Sequence, residues 1–266
     1  MVDVSSITYG PRRATLTTDD GVRIEAVYEP CTASVTDSAP TAIVVAHGFT
    51  GSVDRPAVRR VAEVLTRDAA VVTFSFRGHG RSGGRSTVGD REVLDLAAAV
   101  RWARELGHER VVTVGFSMGG SVVLRHAALH RGRTEAHTDA VAAVSAPARW
   151  YYRGTPPMRR VHWVITRPVG RLVGRYGLGT RIHHEEWDPV PLSPVEAVPL
   201  IAPTPLLIVH GDRDPYFPLD HPLMLAEAAE RAGRPAELWL ERGMGHAENA
   251  AAEDLLVRLG DWLTRR

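Results

Sequence analysis

Ser117 stands in Gly115-Phe116-Ser117-Met118-Gly119, between the β-branched run that opens at Val111 and a stretch with helical spacing through Val122, Val123 and Leu124. That context puts the serine on a tight turn from strand to helix, where the flanking residues must be small because a Cβ at 115 or 119 would meet neighbouring backbone. The hydroxyl is then held in the open beside a helix N-terminus, whose free N–H groups and positive dipole end favour an anion forming on a bound molecule. A neutral serine is a weak nucleophile, so acyl transfer through it needs a base within hydrogen-bond reach and an anion to orient that base. Two later loops hold candidates. His210-Gly211-Asp212-Arg213-Asp214-Pro215 follows one apolar run and offers Asp212 or Asp214, and Gly243-Met244-Gly245-His246-Ala247 follows the next and offers His246.

The elements that must position these groups follow from hydrophobic period. Ala14–Thr18 and Val22–Tyr28 alternate with period two around Asp19-Asp20-Gly21 and read as an antiparallel hairpin, after which residues 29–41 form a polar loop. Strands and helices then alternate. Strands are expected over 42–46, 70–76, 111–116 and 140–144, with helices over 55–67, about 88–106 and from Met118 onward. This pattern demands a mostly parallel sheet with helices on both faces, so the loops after successive strands open on one edge. From Ala148 the alternation stops for about fifty residues rich in proline and arginine, with Trp150, Tyr151, Tyr152, Trp163, Tyr176 and Trp187. We read 148–200 as a cap inserted into a core formed by 1–147 and 201–266. Its central part, Met158–Tyr176, opposes apolar residues to arginines, and Pro168 should break or kink it. The alternation returns with strands over 206–210 and 236–240 and helices over 221–232 and about 250–264.

Composition removes other chemistries. The 266 residues are ample for one self-stabilised domain. All 32 basic residues are arginine, so Schiff-base catalysis and a lysine phosphate loop are excluded. Cys31 is the only cysteine, which rules out an intramolecular disulfide and a cysteine metal cluster and fits a reducing compartment; without a basic neighbour in sequence it reads as inert. A net charge of +1 gives no field that suggests nucleic acid as the main partner. The N-terminus lacks the pattern of a secretory signal and no long apolar stretch spans a membrane, so the expectation is a cytoplasmic protein, with a homodimer possible in principle. His183-His184-Glu185-Glu186 lacks a third ligand at helical spacing and reads as a solvated turn, so no metal is expected.

The chain resembles the α/β-hydrolases. Four separated motifs carry the likeness: His47-Gly48-Phe49-Thr50-Gly51 is similar to the oxyanion loop after the third strand, Phe74 to Gly83 to the glycine-rich loop after the fourth, His210-Gly211-x-x-Asp214 to the acid loop, and Gly245-His246 to the base loop, around the Ser117 elbow. The resemblance implies a fold of about eight mostly parallel strands with an inserted cap. It also implies a Ser117, Asp214, His246 triad in the order this fold uses, with Asp214 preferred over Asp212. The backbone N–H groups of Phe49 and Met118 would form the oxyanion hole, with no cofactor. His47, Arg77, His79 and Arg81 read as loop braces. Ser75 stands where the family often carries an aspartate anchor, which puts only that loop's local bracing in question. Within the family, the loops are similar to those of cinnamoyl and feruloyl esterases and related small acyl-ester hydrolases. The implied reaction is hydrolysis of carboxylic esters with small or medium acyl or aryl groups. The same machinery serves thioesters, amides or peptides and carbon–carbon bonds, and the scaffold also serves small-molecule receptors with little turnover. The cap aromatics would line an acyl pocket, and its arginines would either solvate the outer face, meet an anionic substrate group or touch a membrane surface.

Overall fold

Eight strands form one sheet in the order β1-β2-β4-β3-β5-β6-β7-β8, and every pairing from β4 to β8 is parallel. The structure is a computed structural model that describes residues 11–32, 41–132 and 134–265. The polar loop read over 29–41 lies largely outside the described residues, as does the N-terminus. β1 (Arg12–Thr17) and β2 (Arg23–Glu29) make the expected hairpin, and β2 joins β4 (Ala70–Phe74) antiparallel. β3 (Thr41–Ala46) is central and buried along its whole length, as a parallel strand covered on both faces must be.

Side chains alternate along each strand, and the two faces acquire separate cores. Val44, Val72 and Ile208 pack with Leu96 of α2 (Glu92–Glu105), Leu124 of α3 (Met118–Leu129) and Leu225 of α7 (Asp220–Arg231). Ile43, Val71, Val114 and Val209 pack on the other face with Val61 and Leu65 of α1 (Pro56–Leu65) and Leu256, Leu259 and Leu263 of α9 (Glu253–Arg265). The spacing of the α1 residues, one or two per turn, is what makes that helix a one-sided cover.

Two helix boundaries differ from the sequence expectation, and a break between two further helices falls where Pro168 predicts one. α2 starts at 92, later than expected, because the Glu92 carboxylate gathers the N–H groups of Thr87, Val88 and Gly89 and holds 87–89 in a turn with positive φ at Val88 and Gly89. The last helix is divided into a single turn, α8 (Ala247–Ala250), and α9, with Ala251 extended between them. The stretch 158–176 is two helices, α4 (Pro156–Thr166) and α5 (Pro168–Gly177), parted at Arg167, which is extended as a residue before proline prefers.

Both helices lie between β6 (Val141–Val144) and β7 (Leu206–Gly211), and no residue of α4 is fully buried. After them the chain returns along the loop that follows β4. Arg181 donates its N–H to Gly78, and Ser86 and Arg181 are likewise bonded through their backbones. A Cβ on Gly78, whose φ is +76°, would lie 2.4 Å from the Arg181 carbonyl oxygen, so this crossing requires glycine. The segment ends in a short helix, α6 (Pro194–Ala197), where Ser193 and Glu196 form a capping box and Ala197 and Val198 enter the core. The remaining strand, β8 (Glu237–Glu241), forms the far edge. Among the described residues no helix is long and apolar enough to cross a membrane.

Candidate active site

The carboxyl ends of β3, β5, β7 and β8 point to one edge, and each is followed within a few residues by one of the groups singled out in the sequence. β5 (Arg110–Phe116) runs into Ser117, which holds φ 52° and ψ −115°, an unfavourable conformation for a residue with a side chain. Its surroundings enforce it. A Cβ on Gly115 would lie 2.1 Å from the Gly119 carbonyl oxygen, and one on Gly119 would lie 2.2 Å from that of Ala46. The strand, the turn and the helix therefore touch through backbone alone, and the Ser117 N–H is tied to the Val144 carbonyl at 2.9 Å.

Ser117 Oγ lies 2.8 Å from His246 Nε2, and His246 Nδ1 lies 2.7 Å from Asp214 Oδ2. A carboxylate can only accept, so Nδ1–H donates to Asp214 and Nε2 is left to accept from the serine O–H. The acid side chain is fully buried, and its other oxygen accepts the N–H groups of Tyr216 and Phe217 at 2.8 and 3.1 Å. Burial pushes the Asp214 carboxyl up, but the His246 hydrogen bond and charge and the two backbone donors outweigh it and hold the group below its ordinary value. His210 braces the same loop by donating from Nε2 to the Phe217 carbonyl at 2.9 Å. Asp212, the rival acid, faces elsewhere and accepts the Gly243 N–H at 2.6 Å. The acid and base loops pack so closely that a Cβ on Gly211 would lie 2.1 Å from the Met244 carbonyl oxygen.

Phe49 and Met118 line the cavity that contains Ser117 and His246. Met118 is the first residue of α3, so its N–H lacks a carbonyl one turn back within the helix. The loop that carries Phe49 is braced by His47, which donates from Nδ1 to the Gly48 carbonyl at 2.7 Å and accepts the Phe76 N–H at Nε2, 3.0 Å away. Burial, with a contribution from His79, lowers the His47 pKa to about 3, so the imidazole stays neutral as this bonding requires. Arg77 is a second brace, its guanidinium shared between Asp95 and Asp20. At the Ser75 position, the hydroxyl accepts the Val53 N–H and the neighbouring Ser82 hydroxyl donates to the Ser75 carbonyl, so two serines anchor the loop.

The cavity measures about 800 Å³. Met158, Val161, Val164 and Ile165 of α4 line it, together with Trp150 and Trp187. The arrangement suits nucleophilic attack on a bound carbonyl compound, next to a largely apolar space of the size that holds a small organic molecule. Among the described residues no group of three or more His, Cys, Asp or Glu is placed to hold a metal ion.

Two residues of the cavity escaped the sequence reading. Glu248 is buried and accepts the Gly48 N–H at 3.0 Å, and Ser121 lines the cavity one helical turn after Ser117. An acid two residues after a histidine, at a helix start, has the same sequence signature as an ordinary first-turn acid; in the structure it follows Ala247, which holds a positive φ of 55°.

A family model described as the alpha/beta hydrolase fold matches residues 41–158. Over 89% of its length the chain is 27% identical to a monoacylglycerol lipase of Mycolicibacterium smegmatis, of which 90% is covered. Among solved structures it is similar to an esterase of Pyrococcus furiosus, with TM-score 0.73 and 23% identity across 97% of this chain and 93% of that one. It is also similar to a serine hydrolase without a lid from Xanthomonas campestris, with TM-score 0.61 and 19% identity across 97% and 93%.

Proposed function

We propose that this chain, an ester hydrolase of the α/β-hydrolase fold, cleaves carboxylic esters with small or medium acyl or aryl groups through Ser117, His246 and Asp214. The observation that carries the reading is the continuous hydrogen-bonded relay, 2.8 and 2.7 Å in its two links, opening onto an apolar cavity. The monoacylglycerol lipase relative supports ester chemistry on this scaffold.

His246 removes the Ser117 proton as Oγ attacks the ester carbonyl, and Asp214 stabilises the imidazolium that results. The backbone N–H groups of Phe49 and Met118 meet the oxygen as it gains negative charge. Each such donor contributes roughly 3 kcal/mol, because it is aimed at charge present only in the transition state. His246 then returns the proton to the departing alkoxide, leaving Ser117 acylated. Water, deprotonated by the same imidazole, attacks the acyl-enzyme and releases the acid. In this reading 148–200 acts as a cap: α4 forms the apolar wall against which the acyl or aryl group packs, and so sets the length that fits.

Wild-type protein should react covalently with a fluorophosphonate probe and turn over p-nitrophenyl butyrate. Ser117→Ala should abolish labelling and lower kcat by about 10³-fold or more. Labelling of the alanine variant, or hydrolysis at the wild-type rate, would overturn the assignment.

A further inference from the structure

Glu248 and Ser121 are polar, buried and on the cavity wall, yet neither takes part in the relay. Glu248 is 5% exposed, and its Oε1 accepts the Gly48 N–H at 3.0 Å. A Cβ built on Gly48 would lie 3.1 and 3.2 Å from the two carboxylate oxygens and 3.4 Å from Ser117 Cβ. Carboxylate, loop and nucleophile therefore share one small volume. Among the described residues the Gly48 N–H is the only hydrogen-bond donor on this carboxylate, which leaves Oε2 without one. Ser121 is 1% exposed, and its hydroxyl has no hydrogen-bond partner. One turn beyond Ser117 on α3, its side chain leans back over the first turn, as helical side chains do. Buried polar atoms are nearly always bonded, so the unpartnered Ser121 hydroxyl, with the Glu248 oxygen that accepts no hydrogen bond on the same cavity wall, points to a group brought by the ligand.

Charge decides what that group is. A carboxylate or phosphate would be repelled by Glu248. The lining sets Arg149, Arg153, Arg160 and Arg171 against Glu185, Glu186 and Glu248, a near balance that gives an ammonium no favourable field. A neutral hydroxyl satisfies both partners, donating to Glu248 Oε2 and accepting from Ser121 Oγ. We infer that Glu248 and Ser121 form a subsite for an alcohol hydroxyl carried by the ester substrate within a few bonds of the scissile carbonyl. This rests on the reading of Ser117 as the ester nucleophile. The hydroxyl has two possible sources, the acyl chain or the alcohol that departs, and matched substrates separate them.

The test compares kcat/KM within two pairs of esters, each differing in hydroxyl content: ethyl 3-hydroxybutyrate against ethyl butyrate, and glyceryl monobutyrate against propyl butyrate. Wild-type enzyme should favour the hydroxylated member of one pair by about tenfold or more, and which pair responds identifies the source. Glu248→Gln keeps an oxygen for the Gly48 N–H and replaces the other with a donor, so the preference should collapse towards unity. Ser121→Ala should reduce it in the same pair by about threefold or more. If Glu248 served only to hold the loop of Phe49, both members of a pair would slow together and the ratio would stay constant; that outcome overturns the subsite. So does a wild-type enzyme with no preference in either pair. A wild-type protein that hydrolyses none of the four esters and takes no fluorophosphonate label would instead defeat the ester-nucleophile reading, and the subsite with it.

Discussion

Asp214 serves the relay with one oxygen and its own loop with the other. Oδ2 receives the His246 Nδ1–H, while Oδ1 closes the turn at Tyr216 and Phe217. Asparagine can keep the second task through its carbonyl oxygen but presents an amide donor to His246, favouring the wrong tautomer. Asp214→Asn should therefore lower kcat by about 10⁴-fold with little change in melting temperature, measured on the same preparation. A rate within tenfold of wild type would count against the role given to this carboxylate. The two aspartates of the loop are alike in sequence, and both follow β7. Their functions part because Gly211 lets the base loop approach, which leaves the Asp212 side chain against Gly243.

At the scale of elements, the turn at Ser117 and the pair α4 and α5 were legible in the sequence. Glycines at 115 and 119 announce a backbone crossing, and the distances of 2.1 and 2.2 Å to nearby carbonyl oxygens give the reason. Pro168 announces the break between the two helices. The inward face of α4 follows the opposition of apolar residues to arginines in the sequence, since Val161, Val164 and Ile165 line the cavity, although the helix has no fully buried residue. Trp163 of the same helix is exposed. Under the proposed function, Val161→Trp should fill the space given to the acyl group. The expected result, in a chain-length series of p-nitrophenyl esters, is a fall of about tenfold in the ratio of kcat/KM for decanoate to that for acetate. An unchanged ratio would place the acyl group elsewhere.

At the scale of the whole molecule, five imidazoles are almost wholly buried among the described residues. His47, His79, His126, His210 and His221 are all at most 1% exposed. Burial lowers the pKa of each, to about 3 for His47 and about 4 for His79 and His221, and well below the ordinary value for His126. In the unfolded chain the same groups take up protons near pH 6.5. Below that pH the unfolded state holds more protons than the folded one, so stability is fully present above about pH 6.5 and is lost progressively as pH falls towards 4. Each such histidine adds a slope of up to about 1.4 kcal/mol per pH unit. Urea unfolding between pH 7.5 and 5 should therefore show stability falling steeply with acid. His126, whose two ring nitrogens lack partners, offers a control: His126→Phe should remove about one proton from the slope. Stability that stays flat over this range would refute the account.

Hydrophobic period determined the layered α/β architecture, because a parallel strand covered on both faces must be apolar throughout and a covering helix must be apolar on one side. Glycine placement determined the turn under Ser117 as well, since a close backbone crossing admits no Cβ. What tertiary structure decided were relations between loops distant in the chain. Asp214 was set apart from Asp212, and Glu248 was turned against Gly48 two hundred residues away. Local sequence specifies how a segment folds on itself, whereas the direction in which a loop side chain points depends on what the rest of the sheet brings alongside it.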